Sequence, residues 1–127
     1  MVTLDELLDM DGVVVAFEFS LDGELAEYKA KVSMPQDIAE LTALFCAAVS
    51  SIFNALATTY TRDAPMTWIP QQAWTYSGGG WTVAVGRADG RFRGAFTETG
   101  KTDFNALYRA MAGKPSDRQF VPWPWVE

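Results

Sequence analysis

From Leu41 to Thr61 the chain runs for 21 residues without a charged side chain. Leu41, Leu44, Phe45, Ala48, Val49, Ile52 and Leu56 recur in that run at helical spacing, so a stripe of large apolar side chains can face a core. Ala43, Ala47, Ser50, Ser51, Asn54 and Ala57 form a second stripe of small side chains on another side. A surface helix of a monomer carries Lys and Glu on its outer side, and a helix apolar nearly all round is buried on more than one side. In a chain this short, the expected second cover is another subunit. Small residues permit close backbone approach, so the expected dimer contact is Ala43, Ala47, Ser50, Ser51 and Asn54.

The same run is long enough to suggest a membrane span. It also carries Thr42, Ser50, Ser51, Asn54, Thr58, Thr59 and Thr61, and no Lys or Arg lies close on its N-terminal side, so a buried helix of a soluble protein is expected. Met1 to Glu6 is acidic and lacks the basic and apolar regions of a signal peptide. Cys46 is the only cysteine, which rules out an internal disulfide and suits a reducing cytosol; a cytoplasmic protein is expected. With 127 residues and 49% hydrophobic content, the chain can build one packed domain.

Net charge is −6, with a balance of −8 in residues 1–40 and +2 in residues 41–127. That balance argues against a nucleic-acid partner, because phosphate contacts need a basic patch. The acidic N-terminal third reads first as a solvated face and second as a docking surface for a basic partner.

Along the chain, Thr3 and Glu6 stand at capping-box spacing before Leu7, and Asp11-Gly12 stops that short helix. Val13 to Phe19 is apolar on both alternating faces apart from Glu18, as a strand covered on both sides should be. Leu21-Asp22-Gly23-Glu24 predicts a hairpin turn, and Leu25 to Lys31 a more polar strand nearer an edge. Ser33, Pro35 and Gln36 open the long helix, expected to run to about Thr58. Met66 to Tyr76, Trp81 to Arg87 and Arg91 to Thr97 predict three strands, joined by Ser77-Gly78-Gly79-Gly80 and Ala88-Asp89-Gly90, with Pro70 bending the first or placing it at an edge. A last helix begins near Thr102-Asp103 and sets Phe104, Leu107, Tyr108 and Met111 on one face. The order helix, hairpin, long helix, three-strand meander, helix describes an α+β layer arrangement around one mostly antiparallel sheet.

Residues with catalytic chemistry are few. The chain has no histidine, which removes Ser–His and Cys–His pairs and any His-ligated metal. Cys46 sits among Phe45, Ala47 and Ala48, the setting of an inert buried thiol. Glu18 is expected to meet Arg91 or Arg93 as a structural ion pair. Asp9, Asp11 and Gly12 lack the remaining positions of a calcium loop. A strand follows the Gly78–Gly80 turn, so no helix N-terminus is there to hold a phosphate. No metal, no cofactor and no enzymatic activity are expected. The aromatics Trp68, Trp74, Tyr76, Trp81 and Phe92 read first as sheet-face packing and second as the pocket of a small-ligand sensor. Trp123 and Trp125, flanked by Pro122 and Pro124, read either as indoles folded back on the domain or as anchors for a partner protein, and folding back is preferred.

Taken in order, Thr3-Leu4-Asp5-Glu6-Leu7-Leu8, Gly12-Val13-Val14, Asp22-Gly23, Thr61-Arg62, Met66-Thr67-Trp68 with Pro70, Trp74 with Ser77-Gly78-Gly79, and Asp103-Phe104-Asn105 resemble the roadblock-type dynein light-chain superfamily. The closer similarity is to a bacterial branch of unknown function. The resemblance covers about residues 2–112. It implies a roadblock-like domain over 1–113 and a Trp/Pro-containing C-terminal tail over 114–127. The implied fold is profilin-like: a five-stranded antiparallel sheet with the long helix on one face and the two shorter helices on the other. It also implies a homodimer built from the long helix and the neighbouring meander-edge strand. The implied role is a non-enzymatic scaffold or regulator, with a small GTPase or a multiprotein complex as the candidate partner.

Overall fold

The computed structural model describes residues 3–63, 67–68, 72–88 and 91–112. In chain order these form α1 (Leu4–Leu8), β1 (Val13–Phe19), β2 (Leu25–Ala30), α2 (Gln36–Asp63), β3 (Ala73–Gly78), β4 (Trp81–Ala88), β5 (Arg91–Glu98) and α3 (Phe104–Ala112). The strands make one antiparallel sheet in the order β2-β1-β5-β4-β3. This is the α+β, five-stranded arrangement expected, with β1 inside the sheet and β2 at one edge.

Local chemistry sets the ends of these elements. Thr3 Oγ1 accepts from the Glu6 amide while the Glu6 carboxylate accepts from the Thr3 amide, which closes the predicted capping box. Asp103 accepts from the Ala106 amide and starts α3. Gly23 turns the β1–β2 hairpin at φ +93°, a conformation that a Cβ disfavours. The long helix continues a turn and more past Thr58. Thr58 and Thr59 each donate to the carbonyl four residues back, at Asn54 and Ala55, so their hydroxyls join the helix instead of competing with it. β3 starts later than the sequence pattern indicates, at Ala73, and Met66 and Pro70 lie outside the described residues.

The sheet separates two cores. On one face α1 and α3 cover Val13, Ala16, Ala84 and Ala95 with Leu4, Leu7, Leu107 and Met111. On the other, α2 lies over Val15, Phe17, Phe19, Val85 and Phe92. α3 presents Leu107 and Met111 fully buried and Phe104 and Tyr108 partly so, the face its spacing predicts. Glu18, Arg91 and Arg93 share the α1/α3 face. Arg91 Nη1 donates to Glu18 at 2.7 Å and Arg93 Nε at 3.2 Å, so the expected ion pair forms with both guanidinium groups. Arg93 is buried and also reaches the Met111 carbonyl at 3.4 Å, tying the end of α3 to the sheet. Burial pushes the Glu18 carboxyl up, but the bonds and charges of Arg91 and Arg93 outweigh it and hold the group below its ordinary value.

Candidate interaction surface

Helix α2 meets the sheet through its small residues. Ala39, Ala43, Cys46, Ala47, Ser50 and Ala57 are buried, while Leu41, Leu44, Phe45, Ile52 and Leu56 are between 41% and 67% exposed. This reverses the two expected stripes. Ala43, Ala47 and Ser50 are occupied by the chain's own sheet, so they are not a contact offered to a second subunit; Ser51 and Asn54 are exposed. The reason lies in the sheet. Its α2 face carries Phe17, Phe19, Phe92 and Phe96, whose rings already fill the layer in a stacked and edge-on chain. A helix can come down on such a face only with small side chains beneath it, because interiors are packed to near crystal density.

One hydrogen bond and one close contact fix this orientation. Trp74 on β3 donates its indole N–H to the buried Ser50 hydroxyl at 2.9 Å. The Gly23 turn abuts α2 so closely that a Cβ there would lie 2.9 Å from Leu44 Cδ1. Cys46 is also in the buried row; burial pushes its thiol up to about 12, so it stays protonated and unreactive at neutral pH.

Because α2 contacts mainly β1 and β2, it leaves a groove beside it over the β3–β4–β5 side of the sheet. The cavity measures about 760 Å³ and is lined by Phe45, Val49 and Phe53 of α2 facing Trp74, Trp81 and Phe96 of the sheet. None of its lining residues is charged. Beyond it runs the outer edge of β3, where Tyr76 is 67% exposed. Exposed helix face, groove and strand edge therefore form one uncharged surface. A sequence signal for the strand side exists, since residues 64–86 contain no Asp, Glu, Lys or Arg, a second uncharged run that helix periodicity does not reveal. Trp123 and Trp125 lie outside the described residues.

By length and composition α2 is also apolar enough to cross a membrane, with a mean hydropathy of 1.7 over its most apolar stretch. Among the described residues no three Cys, Asp or Glu side chains converge as a metal-ligand set.

The fold is shared with solved roadblock structures. The Roadblock/LC7 domain from Streptomyces avermitilis is similar at TM-score 0.67 with 13% identity, over 83% of this chain and 81% of that one. The gliding protein MglB from Thermus thermophilus is similar at TM-score 0.65 with 15% identity, over 87% and 83%. MglB from Myxococcus xanthus is similar at TM-score 0.60 with 15% identity, over 83% and 78%. No curated protein sequence matches the chain. At these identities the likeness establishes a roadblock-type fold. Residues 3–113 match the profile of one sequence family, and the chain thus belongs to the uncharacterized conserved protein family DUF2173.

Proposed function

We propose that the protein is a non-enzymatic, cytoplasmic homodimeric scaffold or regulatory subunit of the roadblock type, acting with a small GTPase or within a multiprotein complex. One observation carries the reading. Leu41, Leu44, Phe45, Ile52 and Leu56 of α2 stand exposed beside an uncharged strand edge, a patch that soluble monomers rarely leave open. A second copy would cover Leu41, Ile52 and Leu56, with Ser51 and Asn54 at its margin and the β3 edge alongside. The roadblock resemblance supplies the regulatory role, and the neighbouring structures include an MglB described with a tetrameric arrangement, matched at TM-score 0.65 and 16% identity over 85% of this chain and 84% of that one.

Light scattering at micromolar concentration tests the dimer. The wild type is expected at twice the chain mass, and Ile52→Arg at the monomer mass with an unchanged fold by circular dichroism. A monomeric wild type refutes the proposal. The groove favours a second reading, a sensor of a small apolar ligand, since its volume lies in the range of ligand sites. A thermal-shift screen with nucleotides and metabolites separates the two, because a ligand that binds only the folded state raises the melting temperature.

A further inference from the structure

We infer that the groove between α2 and the β3–β4–β5 side of the sheet is the seat of the chain's own C-terminal segment, residues 119–126, with Trp123 and Trp125 as its anchors. Chemistry matches on both sides. Phe120-Val121-Pro122-Trp123-Pro124-Trp125-Val126 is a run without charge, and the groove that would receive it has no charged lining residue. Alternating prolines hold a segment extended and remove backbone donors, so it enters an apolar site with few unmet hydrogen bonds and little conformational entropy to lose. Extended Pro-rich segments bind where aromatic side chains form a groove, and this groove offers Phe45, Phe53, Trp74, Tyr76, Trp81 and Phe96. Each indole brings on the order of 150–250 Å² of surface to bury.

The exit point of α3 makes the connection short. Met111 packs onto Gly86, where a Cβ would come 2.9 Å from its sulfur, and its carbonyl is held by Arg93. Gly86 pairs with Ala73 of β3, so the chain leaves α3 one strand, about 4.8 Å, from the sheet edge. The eight residues from 113 to 120 can span at most about 26–29 Å, enough to round that edge, cross the sheet's thickness of about 10 Å and reach Trp74. The groove shares Phe45 and Tyr76 with the surface proposed for the dimer, so the two occupants are separated by the test below.

The test places p-benzoylphenylalanine at position 123 of the full-length chain and maps its photo-crosslinks. Crosslinks to residues 42–53 or 74–83 support the inference, at the mass of one chain for the chain's own groove and of two for a mate's. Crosslinks confined to the α1/α3 face, or none, overturn it. So does a probe at position 45 that captures α2 of a second copy while position 123 captures nothing in the groove. Repeating the experiment in Ile52→Arg keeps the two ideas apart: a one-chain crosslink retained in the monomeric variant supports the docked segment without the dimer, whereas a wild type that is already monomeric and shows that crosslink refutes only the dimer. As a second readout, Trp123→Ala with Trp125→Ala should shift the emission of Trp74 and Trp81 to the red and open the groove to the neutral dye Nile red. Unchanged emission and dye binding in a folded double variant count against it.

Discussion

Against α1 and α3 the sheet is closed: Leu7, Leu107 and Met111 are fully buried, and the buried Arg93 is met by Glu18 and a carbonyl. Against α2 the same sheet is covered over β1 and β2 and touched at Val85 and Trp74, with a groove left over the rest of β4 and β3 beside a helix whose outer apolar face is bare. A small domain gains stability from finishing one face and leaves the other to be finished by something else. The comparison sets a closed apolar interior on one side against an exposed apolar surface on the other. It also divides α2 itself, whose inner row is core and whose outer row is exposed.

The largest expected effect tests that division within α2. Ala47→Arg places an unpaired charge against the buried face of the sheet, where leaving a charge uncompensated costs about 3–5 kcal/mol. Chemical denaturation should show a chain barely folded. A well-folded Ala47→Arg would mean that the inner row is not core and would break the comparison. Ile52→Arg is the partner measurement, expected to leave unfolding within about 0.5 kcal/mol of wild type in a monomer reference.

On the sealed face, Glu18→Ala strands the buried Arg93, with an expected loss of about 2–4 kcal/mol in urea unfolding, softened by the exposed Arg91 side of the pair. Arg93→Met together with Glu18→Leu should recover much of it, since a packed apolar pair replaces a paired charge at little net cost. The fold holds the Glu18 carboxyl below its ordinary 4.5. Its contribution is therefore complete above about pH 4.5 and lost as pH falls through the lowered folded value. A melting temperature for Glu18→Gln that falls with acid as steeply as the wild type's would remove Glu18 from that role.

The two edges of the sheet sharpen the comparison further. β2 carries Glu27 and Lys29, and Lys29 is bound to Asp5 of α1 at 2.8 Å; β3, from Ala73 to Gly78, carries no charge. Charged side chains on an edge strand discourage pairing with another chain, and their absence permits it. Tyr76→Lys should weaken self-association in sedimentation without unfolding the domain. Glu27→Thr with Lys29→Thr should instead add larger species. Equal behaviour of the two variants would mean that edge charge does not direct assembly. The smallest effect concerns Cys46. Its thiol, pushed up to about 12 by burial, should resist a thiol-reactive disulfide reagent at pH 8 until the chain is unfolded.

Much of this was legible in residues. The capping box at Thr3, the turn at Gly23, the apolar β1 strand with its single Glu18 and the α3 face of Leu107 and Met111 all follow from short-range periodicity and cap chemistry, which depend on neighbours a few positions away. The uncharged run likewise announced a long helix with two apolar stripes. Its rotation was not legible there. Both stripes of α2 are apolar, so hydrophobic periodicity is satisfied by either one facing inward.

Sequence alone therefore determined that α2 exists, that it is long and that two of its sides are apolar. Only the tertiary structure decided that Ala43, Ala47 and Ser50 point in and Leu41, Phe45 and Ile52 point out. The deciding quantity is the volume already supplied by the other layer. Four phenylalanines from two strands far apart in the chain, Phe17 and Phe19 of β1 and Phe92 and Phe96 of β5, meet on one sheet face through strand pairing. Once they occupy the space, close packing admits only the small row of the helix above them.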